Sequence, residues 1–271
     1  ATSDLLAGGT GTDIIVGGVR GGGIDFGGRG MTTDEPMLEE FEDGLAAAAP
    51  VAVSVEVLAA DLAEGRQLFF SASDSRMALP GAGVSCATCH FDGRTDGLTW
   101  QFDAGPRQTL SLAGDVSSHA PVTWTDGVAT VLDEVVLTSQ GRMGGDGLSL
   151  TRAEKVAAYV DSTPLPDTEN RGAMSDAVLR GKELFESEEV GCGDCHSGDA
   201  LADDESYAMF GLTSVRTRTL SGIAATAPYL HDGSAPTLRS VLEAVRTGEM
   251  GDTSRLSETQ MDDLEEYLKS L

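Results

Sequence analysis

Cys86-Ala87-Thr88-Cys89-His90 and Cys192-Gly193-Asp194-Cys195-His196 are two copies of one pattern, C-x-x-C-H, and together they use every cysteine of the 271-residue chain. With four cysteines and four histidines in that length, chance would supply the pattern on the order of 0.001 times. Two cysteines one helical turn apart can bond the two vinyl groups of one haem while the adjacent histidine reaches the iron. Cys86, Cys89, Cys192 and Cys195 are therefore expected as thioether anchors of two haem c groups, with His90 and His196 as proximal iron ligands. A zinc site or a redox dithiol is the rival reading. Two separated copies, each closed by a histidine and with no further cysteine, disfavour both.

The sixth iron position decides what such a site does. A thioether ligand raises the potential and favours electron transfer, whereas an open position favours chemistry with peroxide. Met143 follows His90 by 53 residues and Met250 follows His196 by 54. Both stand in Met-Gly pairs just before a closing helix, so both are expected as axial ligands. His119 is the rival to Met143. Met31, Met37, Met77, Met174, Met209 and Met261 lack a counterpart in register and read as packing residues. Trp124 and Trp100 read as haem-contacting core, and His231 as a neighbour of a haem propionate.

The register extends beyond the motifs. Leu62 to Phe69 and Val178 to Phe185 each read as an amphipathic helix ending in Leu-Phe. Thr109-Leu110-Ser111 recurs as Thr219-Leu220-Ser221, Ala120-Pro121 as Ala227-Pro228, and Asp126-Gly127 as Asp232-Gly233. Thr151-Arg152-Ala153-Glu154 and Ser257-Glu258-Thr259-Gln260 read as capping boxes opening the closing helices. Met261, Leu264, Leu268 and Leu271 share one face of the last helix. Pro164 and Pro166 mark the linker. The expectation is a mostly α chain of two tandem cytochrome c-like haem domains with loop-rich connections, over residues 51–165 and 166–271. They are preceded by a glycine-rich, acidic segment and linker, residues 1–50, irregular or shaped as a short β-roll. Within it, Asp4 to Gly18 fits the nonapeptide that binds calcium in β-rolls, with Asp4 and Asp13 as oxygen donors. Only one repeat is clean, so a glycine-rich tail or loop is the competing reading.

From about residue 60 onward the chain resembles the bacterial di-haem cytochrome c peroxidases and their MauG-type relatives. The resemblance rests on Gly-Arg/Lys-x-Leu-Phe, the two C-x-x-C-H motifs, Gly105-Pro106-Arg107, Trp124-Thr125-Asp126-Gly127, Met143-Gly144, Thr226-Ala227-Pro228-Tyr229-Leu230-His231-Asp232-Gly233 and Met250-Gly251. The stretch from Cys86 to Trp100 is also similar to di-haem domains appended to β-propeller proteins. The resemblance implies that Met250 is the axial ligand of an electron-transferring haem and that Trp124 lies between the haems. It also implies a calcium ion held by the carbonyls of Thr226 and Pro228, near Gln108. Two departures stand out. Arg142 occupies the place of the peroxidases' acid/base glutamate, and no histidine lies between His90 and His119. An arginine is permanently charged near neutrality and cannot shuttle protons.

Composition narrows the partners. Lys and Arg total 18 against 44 Asp and Glu, a formal charge of −26, which excludes a nucleic-acid backbone as default partner and suits a basic redox protein. No stretch approaches the length of a membrane span. The chain starts at Ala1 without an initiator Met and reads as a mature or trimmed form, and covalent haem attachment points to a periplasmic or extracellular location. The favoured function is electron transfer through two His/Met haems, within a larger complex or a homo-oligomer. A di-haem peroxidase or MauG-like oxidase with an open first haem is the alternative. A third reading makes the chain an interaction module in which calcium-bound glycine repeats hold a cytochrome on a surface.

Overall fold

The structure, a computed structural model, describes residues 58–271 and one antiparallel pair of two-residue strands, β1 (Ile14–Ile15) and β2 (Val51–Ala52). The calcium reading at Asp4 and Asp13 lies outside the described residues, as do Met31 and Met37. Residues 1–59 and 60–271 form separate units.

Along the second unit run α1 (Ala60–Phe70), the one-turn α2 (Cys86–Cys89), the hairpin β3 (Thr99–Phe102) and β4 (Gly105–Gln108), α3 (Val131–Leu137) and α4 (Leu150–Asp161). There follow α5 (Asp176–Phe185), the hairpin β5 (Ser206–Met209) and β6 (Leu212–Arg216), α6 (Leu238–Ala244) and α7 (Glu258–Ser270). The unit is helix-rich with few, short strands.

The repeated Leu-Phe helices pack alike. Leu68 and Phe69 of α1 are buried against Ala153, Val156 and Val160 of α4, and Val178 and Phe185 of α5 are buried against Met261, Leu264 and Leu268 of α7. These helix pairs form two hydrophobic cores, one drawn from residues 68–160 and the other from residues 178–268. Each fully buried aliphatic or aromatic side chain contributes about 1.5–3 kcal/mol relative to exposure. Edge-to-face rings close each core: Phe69 on Phe70 at 5.2 Å between centroids, and Phe185 on Tyr267 at the same distance.

The glycine in each repeated string has a packing cause. Gly65 lies against the Lys155 carbonyl of α4 and Gly181 against the Asp263 carbonyl of α7, each too close for a Cβ. Ser257 caps α7 through its hydroxyl, with Gln260 returning the bond, as the sequence predicts. The matching expectation for Thr151 is corrected: Ser149 is the N-cap residue of α4, so Thr151 already lies in the first helical turn. Met77 and Met261 are fully buried as expected, but Met174 is 73 % exposed and packs into neither core.

Candidate haem sites

The first motif is a tight turn. Cys86, Ala87, Thr88 and Cys89 form α2, closed by the His90 amide on the Cys86 carbonyl at 2.9 Å and by the Ser85 amide donating to Thr88 Oγ1 at 2.9 Å. Three-residue spacing puts both sulfurs on one side of the turn. His90 Nδ1 donates to the Leu110 carbonyl at 3.0 Å, with the Arg94 carbonyl at 3.2 Å. A ring whose Nδ1 carries the proton leaves the Nε2 lone pair for a metal. Burial pushes the His90 pKa below its ordinary value, which favours the neutral, ligating form. Burial also drives the Cys86 thiol up to about 12. Among the described residues no group of three His, Cys, Asp or Glu side chains could hold a metal ion.

Met143 borders the same core as Cys86. Its carbonyl accepts from the Leu79 amide at 2.8 Å, and Gly144 bridges to Ala78. Gly145 lies so close to the main chain of Arg76 to Ala78 that a Cβ would clash. The turn is thereby pinned to the strip of chain that leads into the motif. Arg142 points outward, bound to Glu134 Oε1 and Thr138 Oγ1, with its guanidinium 5.8 Å from the centre of the Phe102 ring. His119 Nδ1 lies 3.5 Å from Asp204 Oδ1, a residue of the second half.

The second motif lines a cavity of about 640 Å³, within the range of cofactor pockets. Cys192, Cys195, His196 and Met250 all lie on its wall. His196 Nδ1 donates to the Leu201 carbonyl at 3.0 Å, and burial again lowers its pKa. Gly251 abuts Cys192 and the Val190 carbonyl, and the Asp252 amide donates to that carbonyl at 2.8 Å. The Met250 turn is therefore pinned to the chain leading into the second motif, as the Met143 turn is to the first. Two free imidazole faces, four unbridged cysteines and a cofactor-sized cavity with a thioether on its wall fit haem c. Met209 also lines this cavity, which corrects its reading as a plain packing residue.

The two halves meet along a hydrogen-bonded seam. Trp124 Nε1 donates to the Gln108 carbonyl at 2.8 Å, and the Trp124 carbonyl accepts from the Arg216 amide at 3.0 Å. The Gln108 amide donates to the His231 carbonyl at 2.8 Å, and its side-chain Nε2 to the Thr226 carbonyl at 3.2 Å. The carbonyl expected to face calcium thus already has a donor. Trp124, Gln108, His231, Thr226 and Pro228 all line the second cavity. The core placement of Trp100 is corrected: it sits on β3, 40 % exposed, with Nε1 donating to Asp96 at 2.8 Å.

Three residues escaped the sequence reading. Arg216 and Arg218 line the second cavity, and Glu134 sits beside the first motif with its Oε2 buried and unbonded. Burial first, and the Arg216 charge second, bring Arg218 down to about 10. A pair of arginines one residue apart reads as a solvated strand edge, so no sequence signal marked them.

The chain is 28% identical to the hydrazine synthase gamma subunit of Kuenenia stuttgartiensis, over 74% of this chain and 76% of that one. It is 25% identical to the methylamine utilization protein MauG of Methylophilus methylotrophus, over 77% and 78%. The chain is thus similar to the MauG-type di-haem superfamily. A model of the RoxA-like, cytochrome c-like family matches residues 216–247. Among solved structures, a chain of Kuenenia stuttgartiensis hydrazine synthase superposes with a TM-score of 0.66 at 22% identity, covering 96% of this chain and 100% of that one. A MauG-like protein associated with microbial copper homeostasis gives 0.61 at 20% identity, over 82% and 91%. The diheme peroxidase BthA of Burkholderia thailandensis gives 0.55 at 16%, over 78% and 85%. These structures share the fold. Among the described residues no helix is long and apolar enough to cross a membrane.

Proposed function

We propose that this chain is an electron-transfer protein with two haem c groups, each held between a histidine and a methionine. The observation that carries the reading is Leu110: its carbonyl accepts the hydrogen bond from His90 Nδ1–H while the residue also lines the cavity of the second motif. Bound haem would supply a one-electron couple at each site. His90 and His196 hold their Nδ1 protons on main-chain carbonyls and present Nε2. Met143 and Met250 present soft thioethers, which stabilise the reduced state. The Trp124 indole, bonded to Gln108 in the same seam, is positioned to couple the two sites. The acidic surface favours a basic redox partner.

Placement outside the cytoplasmic membrane follows from covalent haem attachment, and membership of a larger assembly is supported by the likeness to a hydrazine synthase subunit. A calcium ion near Gln108, Thr226 and Pro228, or at Asp4 and Asp13, belongs to the same proposal, and chelation followed by haem absorption spectra tests it. The division at residues 51–165 and 166–271 is supported by the two separate cores.

Pyridine haemochrome analysis and absorption spectra test the main reading. Two low-spin haems per chain, both with the red-edge thioether band, are expected. A high-spin ferric haem with rapid peroxide turnover would overturn it in favour of an oxidase with an open first site. The observation on the side of that second reading is Glu134, a carboxylate near Cys86 and His90 whose Oε2 is buried and unbonded.

A further inference from the structure

We propose that Arg216 and Arg218 form the anion anchor that receives a propionate of the haem attached at Cys192 and Cys195, and that the same pair thereby locks the two halves of the haem unit together. The proposal rests on haem occupying the second cavity, as argued above.

Arg216 is 8 % exposed and ends β6 on the wall of that cavity. Its guanidinium donates to the Ala120 carbonyl, but its Nε is buried with no hydrogen-bond partner. A buried guanidinium donor left unbonded costs roughly 1–3 kcal/mol, and Asp204 Oδ1, itself buried and unbonded, stands 3.6 Å from the guanidinium, too far for a hydrogen bond. Arg218 lies on the same wall and donates to the Pro121 carbonyl at 3.1 Å. Neutral carbonyls satisfy donors without cancelling charge. The carboxylate within ion-pair distance of Arg216 is Asp204, 3.6 Å away and 39 % exposed at its side chain. Asp204 also faces His119 at 3.5 Å. Among the described residues Arg216 therefore has one partly solvated carboxylate within ion-pair distance and Arg218 none, although Glu188, Glu189, Asp194, Glu249 and Asp252 also line the cavity.

A haem propionate has the chemistry that is missing. It is a carboxylate on a flexible arm, able to accept from Arg216 Nε and to pair with Arg218. The buried, unbonded Nδ1 of His231 lines the same cavity and offers a further polar contact. Because both arginines belong to the second half and are tied to Ala120 and Pro121 of the first, an anion held on them would fix the seam that carries Trp124.

The test uses the matured holoprotein. Arg218→Gln, and separately Arg216→Gln, should lower the midpoint potential of the second haem. Losing a nearby positive charge favours the ferric state, by about tenfold in the reduction equilibrium or about 59 mV for one electron. The first haem should shift far less, and Arg216→Lys should restore most of the potential by keeping the charge. A Cys192→Ala/Cys195→Ala protein, retaining only the first haem, identifies which wave is which. Arg152→Gln, paired with Glu64 on the far helices, controls for net charge and should leave both waves in place. If Arg216→Gln fails to mature, Arg218→Gln decides. Unchanged potentials, or equal shifts of both waves, would reduce the pair to a structural clamp and sink the proposal. Peptide mass spectrometry of the wild type is the separate check: no haem on residues 192–196 ends the two-haem reading, and the anchor falls with it.

Discussion

A Cβ on Gly181 would stand 2.0 Å from the Asp263 carbonyl oxygen, so α5 and α7 cross with no side chain between their backbones. Gly65 meets the Lys155 carbonyl at the same distance in the first half. Substitution by alanine forces the helices apart against two packed cores. Gly181→Ala and Gly65→Ala should each cost about 1–3 kcal/mol or prevent folding, lowering Tm by roughly 2–4 °C per kcal/mol. Gly141→Ala has open space around it and should melt within a degree or two of the wild type. Calorimetry on the three variants decides the matter.

The crossing at Gly181 also places a buried carboxylate. Asp263 accepts from Arg180 Nε at 2.8 Å and from the terminal nitrogen at 2.7 Å. These bonds, outweighing the opposing effect of burial, hold its pKa below the ordinary aspartate value. A depressed folded pKa gives stability that is present above the unfolded pKa and lost as pH falls through the folded one. Asp263→Asn should therefore melt lower than wild type at pH 7. The gap should narrow as pH drops below about 3.9; a constant gap across that window would contradict the assignment.

Met143→Ala and Met250→Ala should each remove about half of the red-edge thioether absorption and lower one midpoint potential, because the soft ligand that stabilises the reduced state is lost. The two effects should add, since each methionine turn is pinned to its own motif. If Met143→Ala leaves the spectrum intact, the first haem is not ligated by this residue.

Trp124→Phe keeps a ring in the seam but removes the donor to the Gln108 carbonyl. A buried acceptor without its partner should cost about 1–3 kcal/mol. Electron exchange between the two sites, followed by pulse radiolysis, should slow while both haem spectra stay the same.

Arg142→Gln should leave stability within about 1 kcal/mol, as expected for an exposed ion pair, and should leave both haem spectra unchanged. A change in spin state of the first haem on this substitution would show that Glu134, once released, reaches the iron.

The helix-rich fold was legible because its signals are periodic and doubled: each Leu-Phe helix, each C-x-x-C-H turn and each Met-Gly pair supports its copy. The glycines at 65 and 181 repeat visibly in sequence, yet their cause, a crossing of backbones, exists only in three dimensions. Thr151 misled because the helix begins two residues earlier, with Ser149 at the N-cap position. Trp100 misled because large aromatics default to the core, whereas a hairpin holds this one over solvent. Arg216 and Arg218 were illegible for a different reason: a charged pair at and just beyond the end of a short strand carries no sign of burial until the fold closes over it.

With its two tryptophans so placed, the chain carries a built-in optical gauge. The indole at position 124, set in the wall of one candidate haem cavity, and the indole at position 100, bonded to Asp96 beside the first motif, would both be quenched by energy transfer to bound haem. Tryptophan emission of the unlabelled protein would therefore rise with each haem that fails to attach.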